Sequence, residues 1–494
     1  MAKQLLNIDK FPTGIINNET SQTVDGFVDM VWIDMISQPW VAQINNRLEN
    51  DTTTWMTTRP LSAAVFDGKV LVWNEDEEIW YENTANTWTL LHTNTNNWDI
   101  EDLIVYQKHL IYASIDELWR STNTTIAGWF TDNPTWGSGT NAFDVWESDK
   151  PHFFKIFNNR LYISDGNLLA ELDWASSPSD PTLWVFTSDK FMLPEGEIII
   201  SMEVIGSLLA LWTESGNYYE WDWVSANAST IVKSNIWGIN ALIQIENTLF
   251  ALAWIDWVVY RFNGADFKPD IKIPNNRFNL SSTSKTRKPA VRRYKNWFMF
   301  AIPKNGIYIY DRVDTNSKFI LTKYGNLSDW QLIDQFDWDI RMLFITDPTS
   351  SIDSFIVWYE YNGTTTIDRT SSSTKYRMYE SWAWDDTSAP FFETQVYELR
   401  DNNWKPNKVQ WVQWLFNDTN EISEFWNIRI YYRINRNETY VLLWDIWNDW
   451  VDFDKILRGI WKRVDKVQFK ILFWAETISD TNPRNTKLTW LRIF

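Results

Sequence analysis

Apolar positions in this chain recur in short alternating runs and almost nowhere at the three-to-four spacing of a helix. One unit repeats: an apolar run, a two-residue turn, and a second apolar run. Ala63-Ala64-Val65-Phe66 turns at Asp67-Gly68 into Lys69-Val70-Leu71-Val72, and Phe153–Phe157 turns at Asn158-Asn159 into Arg160-Leu161-Tyr162-Ile163. The same unit is read at Leu103–Tyr112, Met202–Leu211, Ala241–Leu252 and Val291–Ala301, with a weaker copy around Asp337. Taking Gly68, Lys108, Asn159, Ser207, Asn247, Asn296 and Asp337 as pivots gives steps of 40, 51, 48, 40, 49 and 41 residues. Short strands repeating every 40–50 residues are the pattern of propeller blades, small sheets that cannot bury both faces alone and so stack in a ring. The prediction is an all-β chain with a β-propeller of about six or seven blades over residues 61–385. A β-sandwich or a string of small domains is the alternative.

The stretch 366–390, from Thr-Ile-Asp-Arg-Thr-Ser-Ser-Ser-Thr-Lys to Ala389-Pro390, reads as a boundary. Beyond it Glu393–Leu399, Val409–Phe416, Asn427–Arg433, Thr439–Leu443, Val464–Phe473 and Leu488–Phe494 read as longer strands. Six strands in this span predict an antiparallel β-sandwich over 390–494. Residues 1–60 read as an N-terminal arm with the first strands.

Composition adds an anomaly. The chain has 35 Trp and 16 Gly, whereas average usage would give roughly 35 Gly in a chain this long. Many Trp stand where turn chemistry asks for Gly. Pro39-Trp40 resembles the centre of a type II turn. Asn97-Trp98, Asp173-Trp174, Asp222-Trp223, Asp256-Trp257, Asn296-Trp297, Asp337-Trp338, Asn403-Trp404 and Asp449-Trp450 resemble Asn-Gly and Asp-Gly pairs. Only Gly enters positive φ without steric cost. The pattern predicts that UGA codons, read as Gly in the source lineage, stand here as Trp. It predicts further that at least half of Trp40, Trp98, Trp174, Trp257, Trp338, Trp404 and Trp450 lie in turns or at strand ends. A genuinely Trp-rich binding protein is the other reading.

The formal net charge is −19, which argues against general nucleic-acid binding, since that relies on cations neutralising phosphates. It suits a surface past which DNA slides without sticking. The basic exception is 271–310, which contains no Asp or Glu. Lys285, Arg287, Lys288, Arg292, Arg293 and Lys295 within it are the candidate contacts for a partner or for DNA, against the plainer reading of a solvated loop.

Catalytic chemistry is sparse. There is no Cys, so no disulfide, thiolate nucleophile or Cys metal site is expected. The three His, at 92, 109 and 152, lack metal-ligand spacing. No P-loop or nucleophile elbow is present, even with Gly restored for Trp. The acidic run at 74–78 and Asp452-Phe453-Asp454 are too irregular for a Ca²⁺ loop. No cofactor is expected. No apolar run approaches 18 residues and the first residues hold no apolar core, so neither a membrane span nor a secretory signal is expected.

Several segments together resemble the packaged-DNA stabilisation, or tail-nozzle, proteins of short-tailed phages. Ser37-Gln38-Pro39-Trp40-Val41 looks like their N-terminal Pro-Gly segment. Leu208–Glu220, with its Thr-Glu-Ser-Gly-Asn turn, looks like one of their strand pairs, and Lys233–Asn240 like the Gly-rich segment that follows. Phe298–Pro303, Ile307–Asp311 and Trp330 resemble a later blade, and Trp461–Val464 with Leu488–Phe494 the closing strands. The resemblance implies a non-enzymatic virion protein, assembled in the host cytoplasm. It implies a homo-oligomeric ring, a hexamer, under the portal and adaptor and above distal tail proteins, through which duplex DNA passes without sequence specificity. A secreted or surface propeller adhesin and a propeller glycosidase with paired carboxylates are the competing classes.

Overall fold

A computed structural model gives the fold. The described residues are the strands between Leu6 and Ile493 and the tight turns that join them; the longest stretches outside them are 9–26, 132–149, 273–290, 326–342 and 376–390.

All of the described regular structure is strand. Seven four-stranded antiparallel sheets follow one another along the chain, and they are the blades of a β-propeller. The first six each run in sequence order from an inner to an outer strand, over Pro60–Thr93, Ile100–Thr131, Phe154–Met192, Ile199–Lys233, Ile239–Lys272 and Val291–Gly325. The seventh is built from Leu343–Thr346, Phe355–Tyr361 and Thr364–Lys375, and its fourth strand is Asn46–Asn50 from the beginning of the chain.

The hairpin pivots sit where the pattern put them in the first five blades; the sixth, Asn296, lies outside the described residues. Phe66 pairs with Lys69, Tyr106 with His109, Phe157 with Arg160, Ile205 with Leu208 and Ile245 with Thr248, so each connection is two residues long. Asp67-Gly68, Gln107-Lys108 and Asn158-Asn159 hold positive φ at both positions, the turn whose twist matches that of the flanking strands. The seventh pivot moves. Thr346 pairs with Phe355, so the hairpin connection falls at 347–354 rather than at Asp337, which lies outside the described residues. The proposed boundary also shifts, because the Thr- and Ser-rich stretch 364–375 is a strand paired with Phe355–Tyr361. Threonine is β-branched and suits a pleated, half-buried surface.

Blades bury their faces against one another. Ala64, Phe66, Leu71 and Trp73 of the first blade pack with Leu103, Leu110, Tyr112 and Trp119 of the second. Equivalent clusters join the second to the third blade, the third to the fourth, and the fourth to the fifth. Ala63, Val70, Val72 and Trp88 of the first blade pack with Ile356, Trp358 and Ile367 of the seventh. The Trp88 and Trp358 rings meet edge to face at 5.7 Å, a preferred aromatic geometry. The first and last blades therefore meet, as a ring of stacked sheets requires.

Among the described residues the remaining strands form two short pairs, Ile33–Asp34 with Gln43–Ile44 and Asn407–Val409 with Lys462–Val464, and two larger antiparallel sheets. In one, the order is Phe27–Val31, Phe391–Thr394, Lys466–Ala475, Trp426–Arg433, Val441–Ile446, with Tyr397–Glu398 also on Lys466–Ala475. In the other it is Leu6–Ile8, Lys487–Ile493, Val412–Asn417, Ile456–Arg458. The first fifty residues thus supply a strand to each of these sheets and one to the seventh blade. The chain divides into two compact units, 50–293 with 334–369, and 1–49 with 294–333 and 370–494.

Candidate functional site: the propeller axis

The inner strands of all seven blades, as far as Arg293 in the sixth, belong to the unit 50–293 with 334–369. Their register places equivalent residues in layers. Of the last residues, Phe66, Tyr106, Phe157, Ile245 and Tyr294 are buried and Ile205 is half-buried. The penultimate residues, Val65, Val105, Ile156, Val204, Gln244 and Arg293, all keep some exposure. Four aliphatic side chains and one Gln–Arg pair therefore form this layer.

Polar groups at the axis are tied to neighbouring blades. Asp102, fully buried, accepts from its neighbour Leu103 N at 2.7 Å and from Phe154 N of the third blade at 2.9 Å. Ser201 Oγ of the fourth blade accepts from Leu242 N of the fifth at 3.0 Å. Each of these residues follows an irregularity in its strand, between Ile100 and Asp102 and between Ile199 and Ser201. Such bulges re-aim a side chain, here toward the next blade's backbone. Lys155 Nζ of the third blade meets Glu203 Oε1 of the fourth at 2.6 Å. Arg293 Nη2 of the sixth donates to Gln244 O at 2.6 Å and to Gln244 Oε1 at 3.2 Å.

Of the six candidate contact residues, the structure brings Arg292 and Arg293 onto the inner strand of the sixth blade, at the axis. Lys285, Arg287, Lys288 and Lys295 lie outside the described residues. The first three fall in sequence between the outer strand of the fifth blade and the inner strand of the sixth. Arg292 donates to Val291 O at 2.7 Å. Burial pulls its guanidinium below the ordinary range, and the carboxylate of Asp102 opposes that shift. Asp102 stands on the second blade, three blades from the sixth around the ring.

The net charge of −19 leads one to expect an acidic passage. The axis is not one: its inner strands carry Glu101, Asp102 and Glu203 against Lys155, Arg292 and Arg293, three of each sign. Among the described residues no group of three His, Asp or Glu is placed to hold a metal ion. No described helix is long and apolar enough to cross a membrane.

Sequence reasoning gave the three His no role, and two of them are buried inside blades. His152 Nε2 lies 3.5 Å from Asp165 Oδ1. His109 Nδ1 bonds Ser121 O at 2.9 Å, and its ring meets Trp184 edge-on at 5.6 Å. Burial lowers the His109 pKa, Ser121 O opposes this, and the nearby Arg120 charge adds to it. The sign follows from linkage. Above the unfolded value of 6.5 the ring is neutral in both states. Below it the unfolded chain takes up a proton that the buried ring resists, so stability falls until the folded ring also protonates. Urea midpoints at about pH 7 and about pH 5 should differ more for the native chain than for His109→Gln; equal differences would remove His109 from the acid response.

No family model matches this sequence, and neither does any curated protein. Solved structures do resemble its fold. A catalytically inactive virginiamycin B lyase from Staphylococcus aureus with quinupristin is 14% identical over 66% of this chain and 99% of its own, with a TM-score of 0.44. Chaetomium thermophilum Raptor is 10% identical over 67% of this chain and 30% of its own, at 0.45. The WD40 β-propeller domain of Doa1 is 9% identical over 66% and 98%, at 0.42. No ligand, activity or partner carries over to this chain at such identities.

Proposed function

We propose that this chain is a structural protein of a short-tailed phage virion, a tail-nozzle subunit that extends the tail tube below the portal and adaptor and helps to retain packaged DNA. It works without a cofactor and without hydrolase activity. The observation that carries the reading is the axis. The side chains where a propeller would open a ligand cleft are bonded to neighbouring blades: Lys155 to Glu203, Arg293 to Gln244, Asp102 to Phe154 N. We place the passage of the nozzle between copies of the chain, in a closed ring, a hexamer by the family resemblance. Purified protein should keep a constant hexameric mass across dilution and should bind duplex DNA weakly, with a shallow salt slope. A persistent monomer, or tight binding with a steep salt slope, would overturn the reading.

We propose further that part of the Trp complement stands for Gly. Of the seven Trp named for this expectation, six lie outside the described residues; Trp174 sits just past the strand Leu168–Asp173 and is half-buried. The turn pair Asp222-Trp223 gives the clearest support. Trp223 holds φ of 61° and is 37% exposed. Asp222 Oδ1 accepts from Val224 N at 3.1 Å and Ser225 N at 2.7 Å, a turn built on the Asp side chain. A left-handed residue with a Cβ costs about 1–2 kcal/mol; loss of the Arg160 guanidinium 5.6 Å above the Trp223 ring and the entropy of Gly offset that by about 1 kcal/mol. Trp223→Gly should therefore stay within about 1 kcal/mol of the parent. Trp221→Gly, two residues away, should lose more than about 3 kcal/mol, because Trp221 is 2% exposed, stacks on Phe191 at 4.8 Å and donates to Ser225 O at 2.9 Å. Denaturant titration of both variants checks the contrast. A UGG codon at position 223 would count against the proposal.

A further inference from the structure

Each inner strand is the first of its sheet, so one of its edges has no partner strand within the blade. In a hairpin joined by two residues the ladder bonds alternate. The last and third-last residues of the inner strand bond the second strand, and the fourth-last turns its N–H and C=O toward the axis. Phe154 of the third blade and Leu242 of the fifth hold this place. Each amide donates to a side chain of the preceding blade, Phe154 N to Asp102 Oδ2 at 2.9 Å and Leu242 N to Ser201 Oγ at 3.0 Å.

The sixth blade is supplied differently. Its first two strands, Val291–Tyr294 and Trp297–Ile302, are neighbours separated by two residues, which gives Val291 the same place. Val291 O accepts from Arg292 Nη1 at 2.7 Å, so Arg292 folds back over the axis-facing side of this residue. The position that provides Asp102 and Ser201 is Ala241 on the fifth blade, and like them it follows an irregularity in its strand. Ala241 is buried and has no side-chain acceptor to offer. The third blade has Phe153 there, whose ring belongs to the apolar cluster joining the third and fourth blades.

Arg292 is also the charge of the axis that is not committed to a neighbouring blade. Lys155 pairs with Glu203, and Arg293 is bonded to Gln244. A guanidinium has five N–H donors in a planar fork. Among the described residues the hydrogen bond of Arg292 is to the carbonyl of its own neighbour. Arg292 is half-buried, and burial pulls its guanidinium below the ordinary range, so the group faces a space enclosed by the blades that still admits solvent. Asp102 is the carboxylate whose charge reaches it, and both Asp102 oxygens already accept from backbone amides. A desolvated fork beside an axis-facing amide is the donor set that oxyanions bind, because charge-assisted bonds gain most where water is excluded.

We propose that the axis between the fifth and sixth blades binds a small oxyanion, a carboxylate or a phosphate, held by the guanidinium of Arg292 and the N–H of Val291 beside Ala241. The site does not rest on the nozzle reading, and either can fail alone.

The test is calorimetric titration of the full chain with sodium phosphate and with sodium acetate at constant ionic strength. The expected result is saturable binding of one anion per chain. Arg292→Met should weaken it by about tenfold or more, the loss of a charge-assisted bond. Asp102→Asn should tighten it, because the opposing charge is removed. Ala241→Asp gives the fifth blade the acceptor that the second blade has. Its carboxylate should take the place of the anion, raise the melting temperature in anion-free buffer and abolish the titration. A native chain that binds neither anion saturably overturns the site, and so does a folded Arg292→Met that binds like the native chain. If Arg292→Met does not fold, Ala241→Asp decides, and unchanged binding in that variant overturns the proposal.

Discussion

Glu82→Ala is expected to lower the unfolding free energy by about 3–5 kcal/mol, the cost of removing one member of a buried ion pair. Glu82 lies on the third strand of the first blade and is 4% exposed. It accepts from Nη2 of Arg369, on the third strand of the seventh blade, 14% exposed. Between them they join the first and last blades, beside the Trp88–Trp358 contact and the apolar cluster around Val72, Ile356 and Ile367. The carboxylate offsets the desolvation of the guanidinium, and without it that burden falls on the ring closure. Glu82→Gln keeps the shape and a hydrogen-bond acceptor and should lose less. The double variant Glu82→Ala/Arg369→Met removes both charges and should recover most of the loss. Urea titration of the three variants decides: a double variant no more stable than Glu82→Ala would show that the pair does not carry this closure.

The second large effect is expected at the axis. Asp102→Ala should cost about 3 kcal/mol, since a hydrogen bond to a charged acceptor contributes roughly 1.5–3 kcal/mol and this carboxylate accepts two. The variant withdraws the acceptor from Phe154 N, at the start of the third blade's inner strand, and so loosens the joint between the second and third blades. Asp102→Asn retains one acceptor oxygen and should lie between the two. Hydrogen exchange at the Phe154 amide gives the local readout. Protection unchanged in Asp102→Ala would mean that the bond does not hold that joint.

Much of this fold was legible because a blade is a local object. Two apolar runs with Asp67-Gly68 or Asn158-Asn159 between them specify a hairpin by turn chemistry and period-2 burial alone. Neither device needs knowledge of the rest of the chain. The same logic located most C-terminal strands, since Asn427–Arg433 and Val464–Phe473 read from pattern differ by a few residues from the observed Trp426–Arg433 and Lys466–Ala475. It misread 366–375, where Ser and Thr resemble a linker in composition but pair as a strand.

The site was less legible. The basic stretch stood out, but only the strand order places Arg292 and Arg293 on an inner strand. Asp102 stands beside Glu101, and its residue type alone does not mark it for burial. A bulge buries it, and nothing in the residue types around it announces that bulge. Glu82 and Arg369 are 287 residues apart, and pairs so distant are set by ring closure and not by spacing.

By itself the sequence determined that this chain is built of repeating antiparallel hairpins, that the repeat has the length of a blade, and that longer strands follow it. These are consequences of local steric preference and of burying one face. Only the tertiary structure decided that there are seven blades, that Asn46–Asn50 completes the last of them, and that Leu6–Ile8 and Phe27–Val31 join strands from the far end of the chain. A strand edge accepts any partner that offers matching backbone groups, so the choice among distant partners is made by the packing that brings them together.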